Sequence, residues 1–200
     1  MTCPPPRGKP GAINMRLTGG LDRGRKLKAP RGLKTRPTGA KVREAVFNIL
    51  GPAPQADVLD LFAGTGALGI EALSRGALKA VFVERDPRAL AALRRNLTEL
   101  GFADRALVLG REVQSVLATL AEEGRRFAWV FVDPPYAAGL VEGVLRALGC
   151  HGLAPGGVII VEHDKRNVPP DECGGLILTD RRYYGDTGLS FYRCQQGLCT

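Results

Sequence analysis

The stretch from Asp57 to Gly69, DVLDLFAGTGALG, constrains the fold of this chain more than any other. Val58, Leu59, Leu61 and Phe62 form a short apolar run of the kind that makes a buried strand. The run stops at Gly64, Thr65 and Gly66, and apolar residues at helical spacing, Ile70 and Leu73, follow. A strand, a glycine turn and a helix start in that order form a binding corner. Glycines let the backbone come close to a ligand, and a helix N-terminus offers unpaired N–H groups.

From residue 57 onward, strand-like and helix-like patterns alternate. Strands are expected at 57–62, 79–84, 106–109, 127–132 and 157–162, with helices near 67–75, 87–100, 112–123 and 138–149. Gly76, Gly101, Gly124 and Gly149 fall just after these helices, where a C′ glycine is favoured. Such alternation predicts a mostly parallel α/β sheet covered on both faces, a Rossmann-like arrangement. Two further runs, 176–183 and 188–194, are joined through Tyr184 to Thr187 with no helix between them, which predicts an antiparallel C-terminal hairpin at the sheet edge.

The first quarter of the chain differs in charge. Residues 1–50 carry 12 Lys/Arg against 2 Asp/Glu, whereas the remaining 150 hold 16 against 18, so the net charge of +8 arises entirely from the N-terminal block. A polyanion such as nucleic acid is the natural partner of such a block. Residues 1–14 are rich in Pro and Gly and are expected to be a disordered tail, with Met15 a second candidate start. Residues 15–28 read as a small basic β-hairpin bearing Arg16, Arg23, Arg25, Lys26 and Lys28. Thr38 is the expected N-cap of an amphipathic helix over 41–50, with Val42, Val46 and Ile49 on one face. Gly51 to Pro54 ends it, which divides the chain into a tail (1–14), a basic hairpin and helix (15–52) and a main domain (53–200).

The five cysteines are scattered and odd in number, with no Cys-x-x-Cys pair, so no metal site or disulfide framework is expected and the thiols fit a reducing cytoplasm. No secretory signal is expected at the N-terminus and no apolar run approaches a membrane span.

Gly64 to Gly69 fits G-x-G-x-x-G, and Glu84 follows 20 residues after Gly64 at the end of the next strand, the position of an acid that holds ribose hydroxyls. Asp60 argues against a dinucleotide, since its carboxylate near the turn would repel a pyrophosphate. It suits a cationic group such as a sulfonium or ammonium, and S-adenosyl-L-methionine carries both as well as a ribose. A second constellation is Val130 to Tyr136, VFVDPPY. Two prolines stiffen the loop and fix the Asp133 carboxylate and the Pro134 carbonyl as acceptors for the two N–H donors of an exocyclic amine. Tyr136 is placed to stack on the base that bears it. Lys165, Arg166, Arg181 and Arg182 either extend the basic surface or are solvated. His151 sits in a turn, His163 after the fifth strand either approaches the pocket or takes a solvent-facing or capping role, and Trp129 is read as core.

Asp60 to Gly66 with Asp133 to Tyr136 resembles the class I, S-adenosylmethionine-dependent amino methyltransferases. Arg36-Pro-Thr, Val42 to Asn48 and Tyr184 to Thr187 narrow the resemblance to the bacterial RsmD family, which methylates the N2 amine of a guanine in 16S ribosomal RNA. The similarity runs from about residue 15 to residue 194. It implies that Asp60, Ala63, Gly64, Thr65 and Gly66 line the methionine end of the cofactor. Glu84 would hold the ribose, Arg85 would lie beside the adenosine, and Glu112 with Val113 would meet the adenine. Asp133, Pro134 and Tyr136 would form the catalytic loop. Arg16, Arg23, Arg25, Lys26, Arg36 and Arg43 would bind 16S rRNA or the small subunit, with Thr38 to Arg43 closing over the site, in a cytoplasmic, metal-free monomer. Two other functions stay open on the residues alone: an adenine-N6 or protein-amide methyltransferase, and a non-catalytic rRNA-binding assembly factor.

Overall fold

The computed structural model describes residues 15–29, 39–135 and 139–195. The hairpin is short: β1 (Met15–Arg16) and β2 (Lys26–Leu27) pair antiparallel, Met15 opposite Leu27. Helix α1 (Ala40–Leu50) follows, and Gly39 rather than Thr38 stands at its N-cap position; Thr38 lies outside the described residues.

The main body is β3 (Val58–Leu61), α2 (Ala67–Ser74), β4 (Ala80–Val83), α3 (Pro87–Leu100), β5 (Ala106–Leu109), α4 (Val113–Glu122), β6 (Phe127–Val132), α5 (Leu140–Leu148), β7 (Leu153–Asp164), β8 (Glu172–Cys173), β9 (Leu176–Tyr184) and β10 (Thr187–Cys194). These strands form one eight-stranded sheet in the order β5-β4-β3-β6-β7-β10-β9-β8. β3 to β7 are parallel, and β8, β9 and β10 are antiparallel. The expected Rossmann-like sheet with an antiparallel C-terminal hairpin is therefore the architecture observed.

Side-chain alternation along the strands divides the core in two. Val58, Phe82, Trp129, Phe131 and Ile160 face one side, with α1, α2, α3 and the hairpin residues Leu17 and Leu27. Leu59, Val81, Val130, Val132 and Ile159 face the other, packed by α4 and α5. Phe47 of α1 meets Trp129 and Phe131 with ring centroids 5.9 and 5.8 Å apart, so the basic N-terminal segment shares its core with the sheet. Trp129 is core, as its setting in an apolar strand implies.

Two features depart from expectation. β7 begins at Leu153, not 157, because Phe127 pairs with Leu153 and Trp129 with Val158, and the intervening residues bulge out around Gly156 and Gly157. The two-residue β8 on the outer edge was not foreseen. The strand order reverses between β3 and β6, and in open α/β sheets ligands bind at the carboxyl ends beside such a reversal.

Candidate active site

At the carboxyl end of β3 the chain turns sharply. Phe62 adopts φ 60°, in the left-handed region that a bulky side chain rarely occupies. Gly66 follows at φ 84° as the residue before α2, and a Cβ there would lie 2.4 Å from the Leu93 side chain. The Gly66 N–H donates to the Ala63 carbonyl at 2.7 Å, which closes the turn. Ala63 and Thr65 are buried within it. At Gly69 a Cβ would strike the Phe82 ring at 2.3 Å, so the third glycine serves close packing of α2 on β4.

Asp60 lies within β3, opposite Phe82 and Phe131 in register, and is 2% exposed. Its Oδ2 accepts the Gly69 N–H at 2.8 Å. Burial pushes its carboxyl up to about 7; the Gly69 hydrogen bond opposes this, and the charges of Asp133 and Glu84 add to it. Glu84, just past β4, clasps the turn from the other side. Its Oε2 accepts the Gly64 N–H at 2.8 Å, and Oε1 accepts those of Arg85 and Asp86 at 2.8 Å each. A carboxylate has about four lone-pair sites, so these three bonds leave acceptor capacity for about one further donor, such as a hydroxyl. Arg85 and Glu112 form an exposed ion pair at 2.6 Å on the rim. Val113 opens α4 with its side chain in the second core.

Asp133 and Pro134 follow β6, the neighbour of β3 across the reversal. Both line a cavity of about 260 Å³ bounded by the start of α5, the end of β7 and the loop after it. Tyr136 lies outside the described residues. His163 also lines this cavity, but it is buried rather than solvent-facing. Ser190 Oγ accepts from Arg181 Nε at 2.9 Å and lies within hydrogen-bond distance of His163 Nε2, at 2.9 Å. His163 Nδ1 donates to the Asp164 carbonyl at 3.0 Å. Burial, foremost, lowers its pKa, which keeps the ring neutral near pH 7.

The basic residues divide. Arg16, Arg23, Arg25 and Lys26 are exposed on the hairpin. Arg16 reaches the Gly24 carbonyl at 2.7 Å, and Arg25 is tied down by Asp22 and by the Leu100 and Glu99 carbonyls. Arg36 lies outside the described residues. Arg43 corrects the sequence reading: it is wholly buried, its Nε 3.4 Å from Glu71 Oε2 and its NH2 group 2.6 Å from the Arg16 carbonyl. It falls on the same α1 face as Val46 and Phe47, and a side chain sealed there offers nothing to a phosphate. Lys165, Arg166, Arg181 and Arg182 pair with Asp186, Asp164, Asp171 and Asp180, so they add little net positive field.

Two residues were missed. Glu71 of α2, fully buried, accepts from the Thr18 N–H and hydroxyl, from Arg43 and from Arg75. Asn96 of α3 accepts the Lys28 N–H at 2.8 Å and donates to the Lys28 and Thr65 carbonyls at 3.1 and 3.0 Å. It thereby joins the glycine turn to the end of the hairpin. Each was visible as a polar residue at helical spacing from apolar ones, Asn96 from Leu93 and Leu100 and Glu71 from Ala67 and Leu68. Among the described residues no group of three or more His, Cys, Asp or Glu is arranged to hold a metal, and no helix is long and apolar enough to cross a membrane. Cys150 and Cys173 are free thiols.

The family described as conserved hypothetical protein 95 matches residues 15–193. YlbH of Bacillus subtilis strain 168 is 39% identical over 181 residues, 90% of this chain and 98% of its own. Ribosomal RNA small subunit methyltransferase D of Escherichia coli K12 is 38% identical over 185 residues, 92% of this chain and 91% of its own. The solved structure of yhhF from Escherichia coli superposes with a TM-score of 0.79 at 39% identity, covering 91% of this chain and 98% of that one. With all but the last two described residues inside the match, this chain belongs to the conserved hypothetical protein 95 family, the RsmD family of its sequence resemblance.

Proposed function

We propose that this chain methylates the exocyclic N2 amine of a guanine in 16S ribosomal RNA, using S-adenosyl-L-methionine. The carrying observation is the meeting, at the sheet's reversal, of the Asp60–Glu84 glycine corner with the Asp133–Pro134 cavity. The name of the Escherichia coli relative supports the rRNA substrate.

The donor set fits the cofactor. Asp60, raised to about 7 among like charges, gains from a nearby cation. Glu84 offers its remaining acceptor site to a ribose hydroxyl, and the positive-φ glycines leave the turn open to close approach. When bound, S-adenosylmethionine supplies a methyl group on a sulfonium, open to attack by an amine. The Asp133 carboxylate and the Pro134 carbonyl accept the two N–H bonds of the guanine amine and aim its lone pair. Asp133, or water beside it, takes the departing proton. Most of the acceleration comes from positioning and from matching charge as it moves. The exposed basic residues of the hairpin hold RNA phosphates while the target base, unpaired or flipped, enters the cavity. The proposed setting is the cytoplasm and the proposed working form a monomer.

A radiolabelled methyl-transfer assay on naked rRNA, small subunits and DNA, with nucleoside identification, tests this. N2-methylguanosine from an rRNA substrate is expected. Asp133→Ala should lower turnover by about 100- to 10,000-fold while S-adenosylmethionine still binds. Label in another nucleoside, or near-normal turnover in the variant, would sink the reading.

A further inference from the structure

The cavity beside Asp133 carries a second carboxylate that the proposed reaction does not use. Val132 of β6 pairs with Val161 of β7, so Asp133 and Glu162, each one residue further on, stand side by side at the ends of parallel strands. Both line the cavity. Its volume, about 260 Å³, is roughly nine water volumes, room for one two-ring base. Pro134, Val141, Val168 and Pro170 form apolar walls, and no Lys or Arg is among its described lining residues. The cavity thus suits an uncharged base, not a phosphate.

Two more acids border it, and the register of β6 on β7 sets neither beside Asp133. Glu142 binds Arg146 at 2.6 Å, and Asp164 binds Arg166 at 2.9 and 3.0 Å. The pair that the strand register sets next to each other is the one placed to meet a base edge. Glu162 is half-buried and its charge acts on the buried Arg43, which ties it to the α1 network.

Flipped bases are read along their Watson–Crick edges. Guanine presents two adjacent donor groups there, N1–H and the N2 amine. Adenine presents an acceptor at N1 beside its amine. Adjacent carboxylates match the first pattern, and they would set a lone pair against a charge in the second. Resting on the guanine-N2 reading of this site, we propose that Glu162 accepts the guanine N1–H and is the residue that selects guanine. A site built to hydrogen-bond one group discriminates strongly against an analogue that lacks it, because its own polar group is left unpaired.

The test uses an rRNA fragment spanning the guanine mapped by the methyl label, with either guanine or 2,6-diaminopurine at that position. Diaminopurine keeps the 2-amine and replaces N1–H with an acceptor. The wild-type chain should methylate it with kcat/KM at least about 100-fold below that for guanine. In Glu162→Gln the amide can donate to the N1 acceptor, so that ratio should narrow by about tenfold or more, with S-adenosylmethionine affinity unchanged. Equal wild-type rates on the two bases, or an unchanged ratio in a folded variant, would overturn the assignment. The wild-type comparison depends on no variant folding. Failure of the wild-type chain on the guanine fragment itself would instead reject the guanine-N2 reaction, and the role of Glu162 with it.

Discussion

The carboxylate of Asp60 receives the N–H of Gly69 at 2.8 Å, which fastens the middle of β3 to the first turn of α2 beneath the glycine corner. The acid holds this position although burial and the charges of Asp133 and Glu84 all disfavour its ionised form.

One outcome concerns pH. A carboxyl whose folded pKa is raised to about 7 stabilises the fold fully below the ordinary carboxylate range and loses that contribution as pH climbs through 7. Asp60→Asn keeps an acceptor for Gly69 without the charge. The melting temperature of the variant should therefore gain on that of the wild type as pH rises from 4 to 8. A difference that stays flat across that range would remove the titration assigned to Asp60.

Cofactor affinity should move the other way. A cation near Asp60 favours the carboxylate, so binding releases a proton and S-adenosylmethionine should bind more tightly at pH 8 than at pH 6. Calorimetry in buffers of different ionisation enthalpy reads the proton directly, and Asp60→Asn should abolish the dependence.

Arg43 and Glu71 are both fully buried. Removing one partner of such a pair strands the other charge, and Arg43→Met should cost about 3–5 kcal/mol in urea unfolding. The salt dependence of RNA binding by the folded variant should be unchanged, because this guanidinium does not reach the surface.

Asn96→Leu should leave the Lys28 N–H and the Lys28 and Thr65 carbonyls short of partners, at a cost of about 1–3 kcal/mol for each group left unpaired. Amide exchange at Lys28 should quicken, and S-adenosylmethionine should bind more weakly because the carbonyl that is released belongs to the glycine turn.

Replacing Arg16, Arg23 and Lys26 together should weaken RNA binding and reduce the slope of log affinity against log salt by about 0.7–0.9 for each phosphate no longer neutralised. Arg25→Ala should cost proportionally more stability, since its guanidinium bonds to Asp22, Leu100 and Glu99.

The sheet was legible because its strands are short apolar runs separated by helical patterns and closed by glycines such as Gly101, which adopts φ 78° after α3. The early start of β7 was hidden because Pro155, Gly156 and Gly157 have the composition of a turn, and only pairing with β6 shows that they form a bulge. Gly64 and Glu84, spaced as the motif requires, do meet at 2.8 Å. Arg43 was misread through its charge, although helical spacing set it beside Val46 and Phe47. The burial of His163 was not legible because its partner, Ser190, arrives from a strand 27 residues later. The hydrogen bonds of Asn96 and Glu71 to the hairpin likewise span 68 and 53 residues, distances over which local pattern says nothing of partners.

The position of β10 bears on how such a chain is made. Its residues, Thr187–Cys194, are synthesised after every other strand, yet they lie inside the sheet between β7 and β9. Until they emerge from the ribosome, the edge of β7, with its apolar Val158 to Val161, has no neighbour on that side. Open edges of that kind recruit other strands. A chain stalled or cut before residue 187 would lack the strand that closes this edge, so the nascent protein stays exposed to aggregation until residues 187–194 have emerged.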